Sequence, residues 1–315
     1  MIIPTSETYR PSFFLRPKHF HTIYASKLRK VNGPIYTRER LETPDADFMD
    51  LDWSRQGNDR VVVLMHGLEG SSGRPYIRGF TNVLNSQGWD AVAINFRSCS
   101  GEMNRQPYSY HSGVSHDLAT VLVHIQDQYP TIAAIGFSLG GNVLLKYLGE
   151  AKSETPLRAA VAFSVPCDLR GSSIKLMDRT NKLYMWNFLR LLREKVIIKA
   201  AMFPGLISAE GFNQISSFQE FDDRYTAPLN GFKDADDYWS TCSSKGFIPD
   251  IQIPTLLVNA KDDPFLSDSC YPIEQTRSNP HVTLEIPRFG GHVAFHQKGL
   301  YWSEERTMHF LREII

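Results

Sequence analysis

Between Thr131 and Leu145 the chain reads Thr-Ile-Ala-Ala-Ile-Gly-Phe-Ser-Leu-Gly-Gly-Asn-Val-Leu-Leu, a branched apolar run that breaks at a glycine and resumes as a helix-forming stretch. A strand that passes into a helix without a linker is the start of a crossover between parallel strands, so this segment alone points to an α/β sheet. The break, Gly136-Phe-Ser-Leu-Gly140, sets glycines two residues either side of Ser138, which lets backbones approach closely in a strained turn. Such a turn lifts a serine hydroxyl to the carboxyl edge of the sheet. The alternative is a serine that only caps an ordinary helix, since Ser is favoured there.

The rest of the chain repeats the pattern. Short apolar segments at about Arg60–Met65, Asp90–Phe96, Thr131–Phe137, Arg158–Val165, Pro254–Asn259 and Val282–Ile286 alternate with helical stretches, the signature of a doubly wound, mostly parallel sheet. Ahead of them, Pro34–Thr43 and Asp47–Ser54 read as a β-hairpin. The alternation lapses between about Cys167 and Asp250, where Leu183, Trp186, Leu189, Leu192, Val196 and Ala200 recur at helical spacing. Residues 1–166 and 251–315 are therefore expected to form one core, with 167–250 inserted as a helical cap over the carboxyl edge. Tyr184, Trp186 and Phe188 are its expected substrate-binding residues.

A serine hydroxyl needs a base, and an imidazole with a pKa near ~6.5 can take and return its proton. Elbow serines are followed in the chain by an acid and then a histidine. Downstream, the strand at Pro254–Asn259 runs into Lys261-Asp-Asp-Pro-Phe265, and the last strand leads to the glycine-rich Phe289-Gly-Gly-His292. Ser138, Asp263 and His292 are the expected catalytic set. Asp263, beside Pro264, is preferred to Asp262 because the loop there has turned away from the strand. For a developing oxyanion, the backbone N–H of Leu139 and that of Leu68, in His66-Gly-Leu-Glu-Gly70, are the expected donors. His66 itself reads as a packed structural histidine, and Arg97 as a brace for nearby loops. His19 and His21 are expected on one side of an extended segment, in structural roles.

The blocks His66-Gly-Leu-Glu-Gly-Ser-Ser72, Asn95-Phe-Arg-Ser-Cys-Ser-Gly-Glu102, Gly136-Phe-Ser-Leu-Gly-Gly-Asn142, Phe221-Asp-Asp-Arg-Tyr-Thr-Ala-Pro-Leu-Asn-Gly-Phe232, Asp262-Asp-Pro-Phe265 and Gly290-Gly-His292 together resemble the YheT-like (EMB8-like) branch of the α/β-hydrolase superfamily. His19-Phe-His-Thr-Ile23 is similar to that family's His-x-Gln-Thr-Ile signature, with His21 in place of the usual glutamine, and Ser98 stands where glycine is commoner. The resemblance spans nearly the whole chain. It implies the α/β-hydrolase fold and a serine hydrolase, a carboxylic ester hydrolase acting in some relatives on acylglycerols or phospholipids. A thioesterase, a transacylase or a non-catalytic ligand-binding member of the fold would carry much the same residues.

Composition excludes several other classes. Lysines plus arginines equal aspartates plus glutamates at 34 each, so no net charge recruits nucleic acid. The four cysteines lack metal-type or disulfide-framework spacing. His292 and His296 stand four apart, but Val293 occupies the position where a zinc peptidase needs glutamate, so neither a metal nor another cofactor is expected. The most apolar stretch, Leu183–Leu206, carries Arg190, Arg193, Glu194, Lys195 and Lys199 and cannot be a simple membrane span. The amino terminus lacks a signal-peptide pattern, and a cytoplasmic enzyme with a small-molecule ester substrate is the expectation; oligomeric state is open.

Overall fold

The computed structural model describes the chain apart from residues 1, 4–8, 10, 14, 15, 298 and 300. Among the described residues nine strands form one sheet: β1 (Ile2–Ile3), β2 (Thr37–Glu42), β3 (Phe48–Ser54), β4 (Arg60–Met65), β5 (Asp90–Asn95), β6 (Thr131–Phe137), β7 (Leu157–Phe163), β8 (Thr255–Val258) and β9 (Val282–Glu285). Their spatial order is β1-β9-β8-β7-β6-β4-β5-β3-β2, with β4 to β9 parallel and β3 antiparallel to both β5 and β2. The expected hairpin is thus present ahead of the first parallel strand of the chain's β4–β9 series, and it extends the main sheet through β3 and β5.

Continuous apolar runs suit strands covered on both faces. In β4, Val61, Val63 and Met65 enter one core, while Val62 and Leu64 enter the core on the opposite face. The first core is closed by α3 (Ser115–Ile125) and α4 (Leu139–Ala151), the second by α2 (Pro75–Ser86) and the carboxyl-terminal helix Trp302–Ile314. The hairpin is built differently. Met49, Leu51 and Trp53 of β3 are buried in the first core. Asp50 and Asp52 alternate with them and lie directly opposite Arg40 and Arg38 of β2. Both arginines grip their carboxylates with two nitrogens, at 2.9 and 3.0 Å for Arg40 and 2.8 Å twice for Arg38. Opposed charges at paired positions fix the register, since a slip of one residue would break both forks.

One local expectation fails. His19 and His21 lie not on an extended segment but on helix α1 (Lys18–Ile23), which continues as a π-turn over Tyr24–Leu28. Six helical residues after Pro17 are too short to display an amphipathic repeat.

The connection from β7 to β8 contains no strand. It holds α5 (Leu169–Leu176), α6 (Lys182–Met202), α7 (Phe218–Phe221), α8 (Ala227–Leu229) and α9 (Ala235–Cys242), before α10 (Ile273–Arg277) and α11, the carboxyl-terminal helix named above. Its ties to the sheet are specific. Asn142 of α4 donates to the Cys242 carbonyl at 2.8 Å and accepts from Ser244 N–H at 2.9 Å, while Asn181 donates to the Pro264 carbonyl at 2.7 Å. Among the described residues no helix is long and apolar enough to cross a membrane.

Candidate active site

Strand β6 ends at Phe137 and α4 begins at Leu139, leaving Ser138 alone to reverse the chain. Its φ of 54° and ψ of −118° lie in a region that L-residues rarely occupy, and the Phe163 carbonyl holds its N–H at 2.8 Å. The flanking glycines follow from this compression. A Cβ on Gly136 would sit 2.5 Å from the Gly140 carbonyl oxygen, and one on Gly140 would sit 2.6 Å from the His66 carbonyl oxygen. The Ser138 hydroxyl does not cap α4, so the helix-cap alternative fails; it borders a cavity instead.

His292 borders the same cavity. Its Nδ1 lies 2.9 and 3.1 Å from the two carboxylate oxygens of Asp263, whose Oδ1 also accepts the Phe265 N–H at 2.9 Å. The Asp263 side chain is fully buried. Among the described residues no hydrogen bond joins Ser138 to His292, and Nε2 is the ring nitrogen left free to serve the serine; such contacts commonly tighten only when substrate is bound. Asp262 turns elsewhere. One of its oxygens accepts the Gly291 N–H at 2.9 Å and the other, buried, has no partner. Burial, against that backbone hydrogen bond, pushes its carboxyl up to about 6.

The His292 loop is pinned from three sides. Thr22 of α1 accepts the His292 N–H at 2.9 Å, Ser164 after β7 accepts the Val293 N–H at 2.9 Å, and the Phe265 ring lies 4.3 Å from the imidazole. His21 joins in, taking the His296 N–H at 3.0 Å. Its pKa falls to about 4, mainly through burial, so it serves as a neutral acceptor.

Leu68 follows β4 in a turn closed by Gly70 N–H to the Gly67 carbonyl at 3.0 Å. Leu139 is the first residue of α4 and has no acceptor within the helix for its N–H. Both border the cavity beside Ser138. Hydroxyls carry the loop: Tyr76 accepts Gly67 N–H at 3.1 Å and Tyr110 accepts Glu69 N–H at 2.7 Å. His66 lies beneath, its Nδ1 2.7 Å from the Gly67 carbonyl and its Nε2 accepting Phe96 N–H at 3.2 Å. Burial lowers its pKa to about 3, which fits the neutral structural histidine expected from sequence.

The cavity has a volume of about 170 Å³. Helix α6 gives it Phe188, Leu192, Lys195, Val196 and Lys199, one face at three- and four-residue spacing. Phe188 is thus where the sequence expected it. The other two expected lining residues are not: Trp186 is 63% exposed, and Tyr184 packs on His19 and Phe265 outside the cavity wall. Two residues along a helix is a turn of about 200°, which carries Trp186 to the face opposite Phe188.

A family model described as alpha/beta hydrolase fold matches residues 60–299. The chain is 38% identical over 267 residues to YheT of Escherichia coli (strain K12), a candidate esterase, covering 82% of this chain and 78% of that one. The chain belongs to the α/β-hydrolase family. Within it, phospholipase ABHD3 of Mus musculus is 31% identical, over 92% of this chain and 74% of its own. Monoacylglycerol lipase of Saccharomyces cerevisiae is 28% identical, over 89% and 64%. Among solved structures, the Pyrococcus furiosus esterase Pf2001 superposes with a TM-score of 0.62 at 19% identity, over 89% of this chain and 92% of that one. This α/β-hydrolase is of the esterase and lipase type.

Three contributors to the site were missed in the sequence. Thr22 lies in the His19–Ile23 block, whose family likeness was a usable signal. Tyr110 and the pair of Lys195 with Glu69 come from sites 41 and 126 residues apart, and no local pattern links them. Arg97 braces loops as expected, donating to Asp45, Asp47 and Asp117.

Proposed function

We propose that this α/β-hydrolase is a serine hydrolase cleaving carboxylic esters through an acyl-enzyme, with Ser138 as nucleophile, His292 as base and then acid, and Asp263 orienting the imidazole. The observation that carries the reading is the Asp263 carboxylate at 2.9 Å from His292 Nδ1, with that ring and a strained, non-capping Ser138 on one cavity. Asp263 fixes the Nδ1–H tautomer and stabilises the imidazolium that forms, and His292 Nε2 takes the serine proton. The N–H groups of Leu68 and Leu139 receive the tetrahedral oxyanion. The imidazolium then protonates the leaving alcohol, and water repeats the sequence on the acyl-enzyme.

The segment 167–250 acts as the cap in this reading. Phe188, Leu192, Val196 and Phe218 make the acyl side of the cavity apolar, which favours medium acyl chains and acylglycerol-like esters. The names of the phospholipase and monoacylglycerol lipase relatives support that substrate class. Each buried CH2 contributes about 0.8 kcal/mol, so three added methylenes raise kcat/KM by roughly 50-fold until the pocket is full.

The test uses p-nitrophenyl esters from acetate to palmitate and a fluorophosphonate label. Ser138→Ala is expected to lose on the order of 10^6 in kcat and all labelling while remaining folded. Leu192→Ala should flatten the chain-length profile. Near-normal activity in folded Ser138→Ala would refute the mechanism; a profile highest at acetate, indifferent to Leu192, would refute the acyl assignment.

A further inference from the structure

The turn that holds Leu68 is joined to the β7–β8 connection by one buried ion pair. Glu69, the next residue, has a left-handed backbone with φ of 53°, so its conformation is held by its surroundings and not by its own preference. Its N–H donates to the Tyr110 hydroxyl at 2.7 Å, and that hydroxyl donates to the Glu69 carboxylate at 2.8 Å. Arg74 donates to its carbonyl. The same carboxylate oxygen accepts from Lys195 of α6 at 2.8 Å, and the ammonium also lies 3.2 Å from the Cys99 sulfur and 5.2 Å from the Tyr110 ring centroid. The side chains of Lys195 and Glu69 are 18% and 5% exposed. Burial opposes the lysine charge, but Cys99 and Glu69 more than offset it and hold the ammonium above its ordinary range.

Anchoring the connection does not require this pair. Asn142 and Asn181 already tie it to the sheet, and Lys199, one turn along α6, donates to the Asn104 and Gln106 carbonyls. Desolvating two charges is costly when their only return is one more tie. The distinguishing feature of Lys195 is its partner, which is covalently next to Leu68.

We infer that Lys195 is a positioning residue for the ester-cleaving reaction: through Glu69 it holds the Leu68 N–H aimed at the oxyanion, so that the helix over the cavity also completes the oxyanion site. This rests on the proposed roles of Ser138 and Leu68. Without the ammonium, Glu69 loses its cation, and the segment around Leu68 is left to the Tyr76, His66, Tyr110 and Arg74 contacts, none of which pulls on the Glu69 carboxylate from the α6 side.

The experiment compares the full chain with Lys195→Met, Lys195→Arg and Glu69→Gln on p-nitrophenyl butyrate, with thermal melting to establish folding. Losing one oxyanion donor outright costs a factor of about 100 to 1000. Misaiming it should lower kcat by about 10- to 100-fold in Lys195→Met and Glu69→Gln, with KM within about threefold, and Lys195→Arg should recover most of the loss. Combining Lys195→Met with Glu69→Gln should add little, because both break one link. An alkyl trifluoromethyl ketone, whose serine adduct carries the oxyanion, should bind more weakly by the same factor. A fatty alcohol of equal chain length should bind as before. Glu69→Gln keeps the lysine charge, so a Glu69→Gln enzyme of normal kcat would mean that Lys195 acts as a charge and would overturn the inference. Normal kcat in Lys195→Met, a rise in KM alone, or equal weakening of both inhibitors would do the same. If Lys195→Met does not fold, Glu69→Gln and Lys195→Arg decide the question. Should Ser138→Ala retain activity, the underlying mechanism fails; should it be inactive while Lys195→Met is normal, only the positioning role fails.

Discussion

Asp262 and Asp263 are adjacent, equal in chemistry and placed by the fold in different circuits, so exchanging each for Asn separates them. In Asp263 the Phe265 N–H holds one oxygen at 2.9 Å, and the side chain has no solvent face into which it could rotate. An Asn there keeps its carbonyl on that N–H and turns its NH2 toward His292 Nδ1. That nitrogen must then accept, the proton moves to Nε2, and the ring can no longer take a proton from Ser138. The expected fall in kcat/KM is roughly 10^4, or about 5 kcal/mol of lost transition-state stabilisation. Asp262→Asn keeps the Gly291 N–H bond, and activity should stay within about threefold. It also removes a carboxyl whose folded pKa, about 6, stands above the unfolded value of about 3.9. Such a group costs stability only when ionised: nothing below about pH 4, an increasing amount from there to pH 6, and the full amount above. After discount for its partial exposure, the variant should gain about 1–2 kcal/mol at pH 8 and almost none at pH 4. The measurements are kcat/KM for p-nitrophenyl butyrate at pH 8 and urea unfolding at both pH values. A reversed ranking of the two activities would give Asp262 the orienting role, and two small losses would show that His292 needs no acid partner.

Two further outcomes are expected. Gly140→Ala must push its new Cβ away from the Met65 and His66 carbonyls, which end the strand beneath the Leu68 turn; a loss of about 1–3 kcal/mol in urea unfolding and a clear fall in kcat should appear together. Asp222 accepts from Trp239 Nε1 at 2.9 Å and Thr226 Oγ1 at 2.6 Å beside the cavity, yet burial raises its pKa to about 7. Its raised folded pKa makes wild-type stability decline as pH rises from about 4 to 7, and the urea midpoint of Asp222→Asn, followed from pH 5 to 8, should lack that part of the decline.

Strands β4 to β9 were legible because burial on both faces demands uninterrupted branched apolar residues, and turn chemistry marks their ends. Ser138 was legible for a related reason, since only glycine fits beside the backbone atoms that crowd its turn. The structure goes beyond pattern where direction matters. Preference for Asp263 over Asp262 rested on Pro264; the geometry adds which carboxylate faces the ring. The phase of α6 was unreadable because apolar residues surround that helix: Leu183, Trp186, Ile197 and Ile198 are exposed while Met185, Leu189 and Val196 are buried. Tyr110, Lys195 and Thr22 act across the fold, where one-dimensional spacing carries no information.

The described strands leave two margins to the sheet, one at β1 and one at β2, and the β2 margin is a poor template for another chain. At one, β1 pairs with β9 through Ile2 and Ile3 among the described residues. At the other, β2 reads Thr-Arg-Glu-Arg-Leu-Glu, so a foreign strand laid along it would have to strip water from four charged side chains in six residues and compete with arginines already committed to Asp50 and Asp52. That margin is thereby guarded against pairing with a strand of another copy.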